Sequence, residues 1–198
     1  TQNGIRGGSA TVHFPIWHKE IEDIIVLKNN KGTEDNRVRK LDYSIQLSKL
    51  FYERFITNEK ITLFSPHDVP GLYDSFGTES FDELYTQYEL DESVPKSQVD
   101  AQELILNILK ERAETGRLYL MNIDHCNSHS SFIDKVSMSN LCQEITLPTK
   151  PISHIDDPDG EIALCILSAI NVGKINRLEE LEDLCDLSVR GLEELIDY

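Results

Sequence analysis

The sequence predicts an α/β fold, because short apolar runs of strand length alternate along the chain with longer amphipathic stretches of helix length. Residues 61–64 and 117–123 are compact apolar runs, whereas residues 98–115 carry apolar side chains at helical spacing and stop at Gly116. Strands separated by helices over 198 residues indicate part of a barrel or of an open sheet. The length suffices for one sizeable core.

The first half of the chain begins with a glycine-rich loop and then alternates strands and helices. Residues 2–10 contain three glycines and Arg6. Such a loop exposes backbone N–H groups to a phosphate or base, although composition alone favours a flexible connector. In order, we then predict a strand at 11–15, a helix from 15–17 to 29–32, a strand at 41–47, a helix at 48–56, a strand at 61–64, and helices near 71–75 and at 81–88.

The second half follows an acidic surface linker at residues 89–95. The helix at 98–115 leads into a buried strand at 117–123 and a polar loop at 124–130. Residues 161–171 are apolar at their centre, which predicts a strand buried on both faces. Asn176 is predicted to cap a long final helix whose apolar stripe includes Cys185, and Gly191 within that helix predicts a close neighbour there.

The composition argues against two classes of partner. The formal charge of −16 repels phosphate backbones and anionic lipid, so neither nucleic acid nor a membrane surface is expected as a partner. No apolar run reaches the roughly 18 residues that a membrane span needs. A small nucleotide stays compatible with this charge, because its phosphates need only a few backbone N–H groups and one or two basic side chains.

The four cysteines show no metal-binding or redox spacing by themselves. Cys126, Cys142, Cys165 and Cys185 form no C-x-x-C pair, and a buried, inert thiol is the default expectation for each. The loop at residues 124–130 contains two histidines and Cys126, which suggests a metal. Without a second ligand cluster, hydrogen bonding within the loop is the favoured interpretation, and we predict no metal site.

Residues 139–145, Ser-Asn-Leu-Cys-Gln-Glu-Ile, place three different chemical groups at alternate positions. If the segment is extended, Asn140, Cys142 and Glu144 share one face at intervals of about 6.6 Å. That row would combine an amide, a nucleophilic or one-electron sulfur, and a proton acceptor. The same alternation describes the solvated side of an ordinary edge strand, and the residues alone leave both interpretations open.

Several stretches together resemble the large (α) catalytic subunit of class I ribonucleoside-diphosphate reductase. Residues 139–145 resemble its active-site loop, and the Pro-Thr-Lys-Pro of residues 148–151 and the Gly-Glu-Ile-Ala-Leu-Cys of residues 160–165 follow in the family's order. The Gly-Ile-Arg-Gly-Gly of residues 4–8 resembles its specificity-communicating loop. Residues 27–32 and 63–73 also fit, so the resemblance covers essentially the whole chain through the order and spacing of its motifs.

The resemblance implies a role for each matching residue. Cys142 corresponds to the cysteine that becomes a thiyl radical at the tip of a finger loop, inside a ten-stranded α/β barrel. Glu144 corresponds to the base on the substrate 3′-hydroxyl, and Asn140 to the amide that binds the ribose hydroxyls. Cys165 corresponds to one of two cysteines that supply the reducing electrons and end as a disulfide.

The resemblance also implies partners. The substrate is a ribonucleoside diphosphate, and Gln2 and Arg6 match the loop that reports a bound nucleoside triphosphate effector to the substrate base. A metal-containing small subunit supplies the radical, thioredoxin or glutaredoxin supplies electrons, and the large subunit forms a homodimer in the cytoplasm. No cofactor bound by this chain itself is expected.

By the same resemblance, residues 1–198 are one partial catalytic barrel domain that starts in the specificity loop. The family's N-terminal regulatory domain, the second redox cysteine and the C-terminal half of the barrel are expected to lie outside it. Two alternatives stay open. One is an inert nucleotide-binding or assembly segment of a split reductase, and the other is a radical enzyme of a related barrel family with a different substrate.

Overall fold

The structure is a computed structural model that describes residues 4–5 and 7–197, and this part of the chain contains both strands and helices. The strands are β1 Thr11–Pro15, β2 Asp42–Leu47, β3 Lys60–Phe64, β4 Lys96–Asp100 and β5 Leu118–Asn122. The helices are α1 Ile21–Ile25, α2 Lys49–Thr57, α3 Leu72–Ser75, α4 Phe81–Leu90, α5 Ala101–Thr115, α6 Ile123–Ser128 and α7 Glu180–Asp197. The predicted α/β class is therefore confirmed.

A three-stranded parallel sheet forms the centre of the fold, with β2 between β1 and β5. Phe14 lies opposite Ile45, and Ile45 lies opposite Leu120. Helices α1, α2 and α5 cover the face to which these apolar side chains point. The main buried members of this core are Phe14, Ile21, Ile25, Tyr43, Ile45, Leu47, Phe51, Leu104, Ile108 and Leu118.

The opposite face of the sheet is polar, and much of it is nevertheless buried. Because side chains two apart share a face, Ser44 and Gln46 point away from the core of Ile45. Their exposed fractions are 0% and 1%. His13 lies opposite Ser44 in the strand register and joins the same face. Buried polar groups need hydrogen-bond partners, so this face requires another part of the chain against it.

A second hydrophobic core joins Phe64, at the end of β3, to apolar side chains of α3, α4 and the end of β5. Its aromatic side chains pack edge-on or tilted, with Trp17 and Phe76 centroids 5.9 Å apart. The Tyr85 hydroxyl donates to the Thr62 carbonyl at 2.7 Å and accepts from the Thr62 N–H at 2.8 Å. Burial raises the pKa of Tyr85, so this hydroxyl stays protonated and keeps its donor role.

A largely buried ion pair connects α2 to the end of α4. Arg54 donates to both carboxylate oxygens of Glu89 at 2.5 Å, and the two side chains are 12% and 15% exposed. The Arg54 guanidinium also lies 5.0 Å from the ring centroid of Tyr85, and Thr62 Oγ1 donates to Glu89. The hydrogen bonds to Glu89 raise the pKa of Arg54. The pair therefore joins the helices through a satisfied polar network.

Most of the predicted elements up to residue 123 are confirmed within a few residues, and three predictions require correction. The first helix covers only Ile21–Ile25, whereas it was predicted from 15–17 to 29–32. Ile16 and Trp17 are buried in the turn that follows β1, and residues 26–32 form turns and bends. Lys96–Asp100 is a strand that the sequence did not indicate, since Val99 is its only apolar residue. The helix predicted from residue 98 accordingly starts at Ala101, where the Asp100 carboxylate caps the N–H groups of the first turn.

The last third of the chain departs most from prediction. The strand predicted at residues 161–171 is wrong. These residues form no strand, and Ile162, Leu164 and Leu167 are 66–75% exposed. An apolar run becomes a buried strand only where neighbours cover it, and within the described residues none does. The polar loop predicted at 124–130 is also wrong over its first part, because Ile123–Ser128 is helix α6.

Helix α7 differs from prediction in its start and its surroundings. It begins at Glu180 rather than after a cap at Asn176, and no residue of Glu180–Asp197 is buried. Cys185, predicted to pack in a core, is exposed. Nothing lies within 4 Å of a side chain built at Gly191, so the predicted close neighbour is not found. The apolar stripe of this helix is real but has no partner within the described residues.

Candidate functional site

The segment at residues 137–145 supplies the partner that the polar face of the sheet requires. Gln46 Nε2 donates to the Ser137 carbonyl at 2.6 Å, and His13 Nε2 donates to the Ser139 carbonyl at 3.0 Å. Thr11 Oγ1 donates to the carbonyl of residue 141 at 2.6 Å. As the segment advances, its contacts move from the end of β2 to the beginning of β1. It therefore lies across the sheet in the direction opposite to the strands.

The segment then turns tightly around Cys142 instead of continuing as a strand. Gln143 has a φ of +69°, and its N–H donates to the Asn140 carbonyl at 3.2 Å. The Asn140 side chain accepts the N–H of Ile145 at 3.0 Å, and Ser139 Oγ donates to the Ile145 carbonyl at 2.5 Å. An asparagine side chain that bonds to nearby backbone favours a turn over an extended ladder.

The three predicted residues Asn140, Cys142 and Glu144 consequently form no extended row. Asn140 is half-buried, and its side-chain oxygen is used within the turn. Cys142 and Glu144 are both exposed, on the side of the turn away from the sheet contacts. The shared face of Asn140, Cys142 and Glu144 was expected only for an extended segment, and the segment turns instead, so neither the extended row nor the edge strand is found.

A backbone bridge further along the chain brings Cys165 near residues 137–145. The backbone N–H groups of Lys150 and Glu161 each donate to the other's carbonyl, at 3.0 and 3.1 Å. This bridge brings residues 162–165 back beside residues 138–149. A cleft of about 230 Å³ separates the two stretches, and Asn140 and Cys165 both line it. Cys165 is exposed rather than buried in a strand, so its predicted setting is wrong while its proximity to Asn140 is real.

The remaining sequence predictions for the site have separate outcomes. Gln2 and Arg6 lie outside the described residues, and their predicted role in a specificity loop stays a prediction. The default expectation of a buried, inert thiol is wrong for Cys142, which is exposed. In the described part of the chain, all four cysteines are free thiols and no group of three or more His, Cys, Asp or Glu side chains is placed to hold a metal ion.

Sequence reasoning missed the residues that receive the segment. Thr11, His13, Ser44 and Gln46 are polar residues at alternate positions of two strands, and that pattern was the available signal. Burial lowers the pKa of His13 and its hydrogen bond to Ser139 opposes the shift, so the ring is neutral at pH 7. Among the described residues, His13 Nδ1 and Gln46 Oε1 have no hydrogen-bond partner, which leaves two acceptors beside the segment.

Taken over residues 4–5 and 7–197, no helix has both the length and the apolar character needed to cross a bilayer.

Comparison with known proteins shows the family to which the chain belongs. The family model for the ribonucleotide reductase barrel domain matches residues 1–198, and the chain belongs to that family. The chain is 56% identical over 203 residues to ribonucleoside-diphosphate reductase subunit alpha of Haemophilus influenzae, and 54% identical over 203 residues to the protein of that name from Buchnera aphidicola subsp. Schizaphis graminum. Both comparisons cover the whole of this chain.

Two further relatives extend the comparison. Ribonucleoside-diphosphate reductase 1 subunit alpha of Escherichia coli is 56% identical over 158 residues, which cover 77% of this chain. The subunit alpha of enterobacteria phage T4 is 43% identical over 206 residues. The chain spans 27% of the length of the Haemophilus and Buchnera relatives, so it corresponds to about a quarter of each of them.

Proposed function

We propose that this chain is a segment of a catalytic subunit that reduces ribonucleoside diphosphates to 2′-deoxyribonucleoside diphosphates by radical chemistry. The observation that carries the proposal is the docking of residues 137–145 on the buried polar face of the parallel sheet. A cysteine that initiates radical chemistry must be held in one place while its sulfur faces the substrate. Cys142 meets both requirements, because its turn is anchored to strands and its side chain is exposed.

Cys142 and Glu144 supply the first steps of this chemistry. A thiyl radical at Cys142 takes the 3′-hydrogen of the ribose, so an S–H bond forms as the C3′–H bond breaks. A thiol suits this exchange because its S–H bond is weak. Glu144 accepts the 3′-hydroxyl proton while the 2′-oxygen leaves as water, which is general-base catalysis. Asn140, beside the same turn, binds the ribose hydroxyls.

Cys165 supplies electrons rather than the initiating radical. It and a second cysteine lose two electrons and two protons as their disulfide forms. Those electrons and protons balance the replacement of the 2′-hydroxyl by hydrogen and the release of one water molecule. Cys142 then returns its hydrogen to C3′ and becomes a radical again. The cleft of about 230 Å³ that Asn140 and Cys165 both line supports a position for Cys165 near the proposed ribose-binding residue.

The rest of the reaction depends on groups outside the described residues. The three-stranded sheet contributes to a ten-stranded barrel, with residues 137–145 as its finger loop. A metal-containing small subunit supplies the radical, thioredoxin or glutaredoxin restores the thiols, and nucleoside triphosphates act through the loop of Gln2 and Arg6. The assembly is a homodimer of large subunits and works in the cytoplasm.

A segment replacement tests the proposal. The matching stretch of the Haemophilus influenzae subunit alpha is exchanged for residues 1–198, and the hybrid is assayed for deoxynucleotide with that organism's small subunit and dithiothreitol. We expect the hybrid to reduce ribonucleoside diphosphates, because every residue assigned above is then present in its surroundings. A hybrid that folds by circular dichroism and binds substrate, yet gives no deoxynucleotide, contradicts the proposal.

A second candidate follows from the exposed apolar side chains at residues 162–167 and on α7. They favour a segment that is inert by itself and acts only when other segments cover these surfaces. We therefore expect residues 1–198 alone to give no deoxynucleotide in the same assay. Activity of the hybrid without activity of the separate chain supports this view, whereas turnover by the separate chain refutes it.

Replacing Cys165 separates the reducing step from the initiating step. In the active hybrid, Cys165→Ser should still permit abstraction of the 3′-hydrogen, since Cys142 is untouched, but the intermediate then lacks its reductant. Substrate is consumed and free base is released, while the deoxynucleotide yield falls to background. Chromatography of the products measures both. Cys185→Ser, which changes another exposed cysteine, should leave the yield unchanged. A normal yield from Cys165→Ser removes this residue from the reducing pair.

A further inference from the structure

The turn that carries Cys142 has an additional anchor at the neighbouring residue, Gln143. The geometry points to Gln143 as a positioning residue, whose side chain fixes the orientation of Cys142 and Glu144. The inference rests on the proposed function, since it concerns the same reaction. Gln143 itself touches no reacting atom, and it acts through the two residues that flank it in sequence.

Both ends of the Gln143 amide are engaged by the sheet. Ser44 Oγ donates to Gln143 Oε1 at 2.9 Å, and Gln143 Nε2 donates to the Leu120 carbonyl at 2.8 Å. The two partners belong to neighbouring strands, β2 and β5, that are themselves paired. Rotating the amide by half a turn would place an oxygen against the Leu120 carbonyl, so only one orientation satisfies both bonds. The amide is thus held as a bridge between two strands.

The Ser44 end of this bridge is rigid. Ser44 is 0% exposed and lies in the central strand of the sheet, with a strand on each side. Its hydroxyl meets the side chain of a residue 99 positions later in the sequence. A fully buried hydroxyl needs a partner, and Gln143 provides it. The contact therefore serves the sheet as well as the turn.

The backbone conformation shows why the turn needs this anchor. Gln143 has a φ of +69°, in the left-handed region that residues other than glycine and asparagine rarely adopt. Such a conformation persists where surrounding contacts over-determine it. Thr11 holds the carbonyl of Leu141 on the side before Cys142, and the Gln143 bridge holds the side after it. Together they restrain Cys142 from both directions.

The pattern of side-chain exposure shows how the Gln143 bridge can orient Cys142 and Glu144. Leu141, Gln143 and Ile145 are half-buried against the protein, whereas Cys142 and Glu144 are exposed between them. Fixing Gln143 inward therefore directs its two neighbours outward. An error of about 1 Å in the position of a reacting group can lower a rate by about 100-fold, so a loosened turn should impair turnover more than substrate binding.

The test uses the active hybrid with three substitutions and one control. Gln143→Leu removes both bonds of the bridge, Ser44→Ala removes one of them, and Gln143→Gly removes the bridge while it relieves the unfavourable φ. Gln87→Leu on the exposed face of α4 controls for a loss of any glutamine amide. For Gln143→Leu and Gln143→Gly we expect kcat to fall by about 100-fold with KM changed by less than about threefold. The Gln87→Leu control should match the unmodified hybrid.

The outcomes separate the role of the side chain from that of the backbone. If Gln143→Gly keeps the kcat of the unmodified hybrid, the turn needs only its backbone angle and the inference is overturned. The double variant combines Gln143→Leu with Ser44→Ala. If its kcat falls no further than that of Gln143→Leu alone, the inference is supported, because the two substitutions then remove the same bridge. A double variant whose loss is the product of the two single losses contradicts a shared bridge.

A second measurement distinguishes failure of the bridge from failure of the proposed function. Hydrogen exchange of the peptide covering residues 137–145 is followed in the unmodified hybrid and in each variant of it. We expect exchange about tenfold faster in both Gln143 variants and unchanged exchange in Gln87→Leu. If the unmodified hybrid is inactive, the proposed reaction fails while this measurement still decides the bridge. Exchange that is unaltered in both Gln143 variants overturns the bridge whatever the activity.

Discussion

Cys142→Ser in the active hybrid is expected to abolish nucleotide reduction, with a fall in kcat of about 10⁴-fold or more, the scale observed when an essential reacting group is removed. The reason is chemical. An O–H bond is much stronger than an S–H bond, so serine cannot exchange hydrogen with the ribose. Cysteine and serine are close in size, and Cys142 is exposed, so the substitution should leave the turn and the sheet in place.

The measurement is deoxynucleotide formation per enzyme, with circular dichroism and substrate binding as tests of the fold. Cys185→Ser provides the matched control, because it makes the same chemical change at an exposed cysteine on α7 and should keep full turnover. Turnover by Cys142→Ser that exceeds background would remove Cys142 from the mechanism. An equal loss in Cys185→Ser would show that cysteine replacement itself damages the protein.

Arg54→Met is expected to cause the largest loss of stability, about 3 kcal/mol in the free energy of unfolding, because it leaves the Glu89 carboxylate largely buried without its partner. Arg54 and Glu89 are only 12% and 15% exposed and share two hydrogen bonds of 2.5 Å. Urea unfolding followed by circular dichroism measures the change in midpoint and slope. The substitution also removes the guanidinium that lies 5.0 Å from the Tyr85 ring centroid.

A double variant tests whether the unpaired charge is the cause. Arg54→Met with Glu89→Leu removes both charges, and it should cost about 1 kcal/mol or less, since a buried pair replaced by apolar side chains is often close to neutral. Lys31→Met is the surface control, because the Lys31–Glu114 pair is 64% and 40% exposed and its loss should not shift the midpoint measurably. A double variant as unstable as Arg54→Met would assign the cost to packing instead.

The fold could be predicted from sequence where periodicity is strong and neighbours lie in the same stretch of chain. The loose alternation of β2, the apolar run of β3 and the stripe of α5 that ends at Gly116 predicted these elements to within a few residues. Strand β4 was missed because it pairs with β3 mainly through backbone, and Val99 alone marks it as apolar. Local pattern carries no information about a strand whose side chains are polar.

The C-terminal third shows the opposite error, in which a strong pattern overstated the structure. Residues 161–171 have the apolar centre of a buried strand, yet Leu164 and Leu167 are exposed. Burial depends on what covers a segment, and covering neighbours were not found among the described residues. The apolar stripe of α7 is exposed for the same reason. Sequence periodicity identifies which face is apolar, but it does not identify the surface that meets it.

For the candidate site, too, sequence reasoning covered some features and missed others. The resemblance in the order of motifs assigned roles to Asn140, Cys142, Glu144 and Cys165, and these roles stay predictions. It did not predict the turn at Gln143, whose left-handed backbone depends on contacts with Ser44 and Leu120 from distant strands. Such long-range hydrogen bonds leave only a weak trace in the local sequence.

The docking of residues 137–145 also determines the order in which this protein can assemble. Thr11 and Leu141 are 130 positions apart, and Gln46 and Ser137 are 91 apart. Closing such long loops costs entropy that short-range contacts do not, so high-contact-order pairings form late. The turn has no surface to dock on until β1, β2 and β5 have paired. All three strands precede Cys142 in the chain and therefore emerge first during synthesis, and the thiol gains its fixed orientation only after they have paired, as one of the last steps of folding.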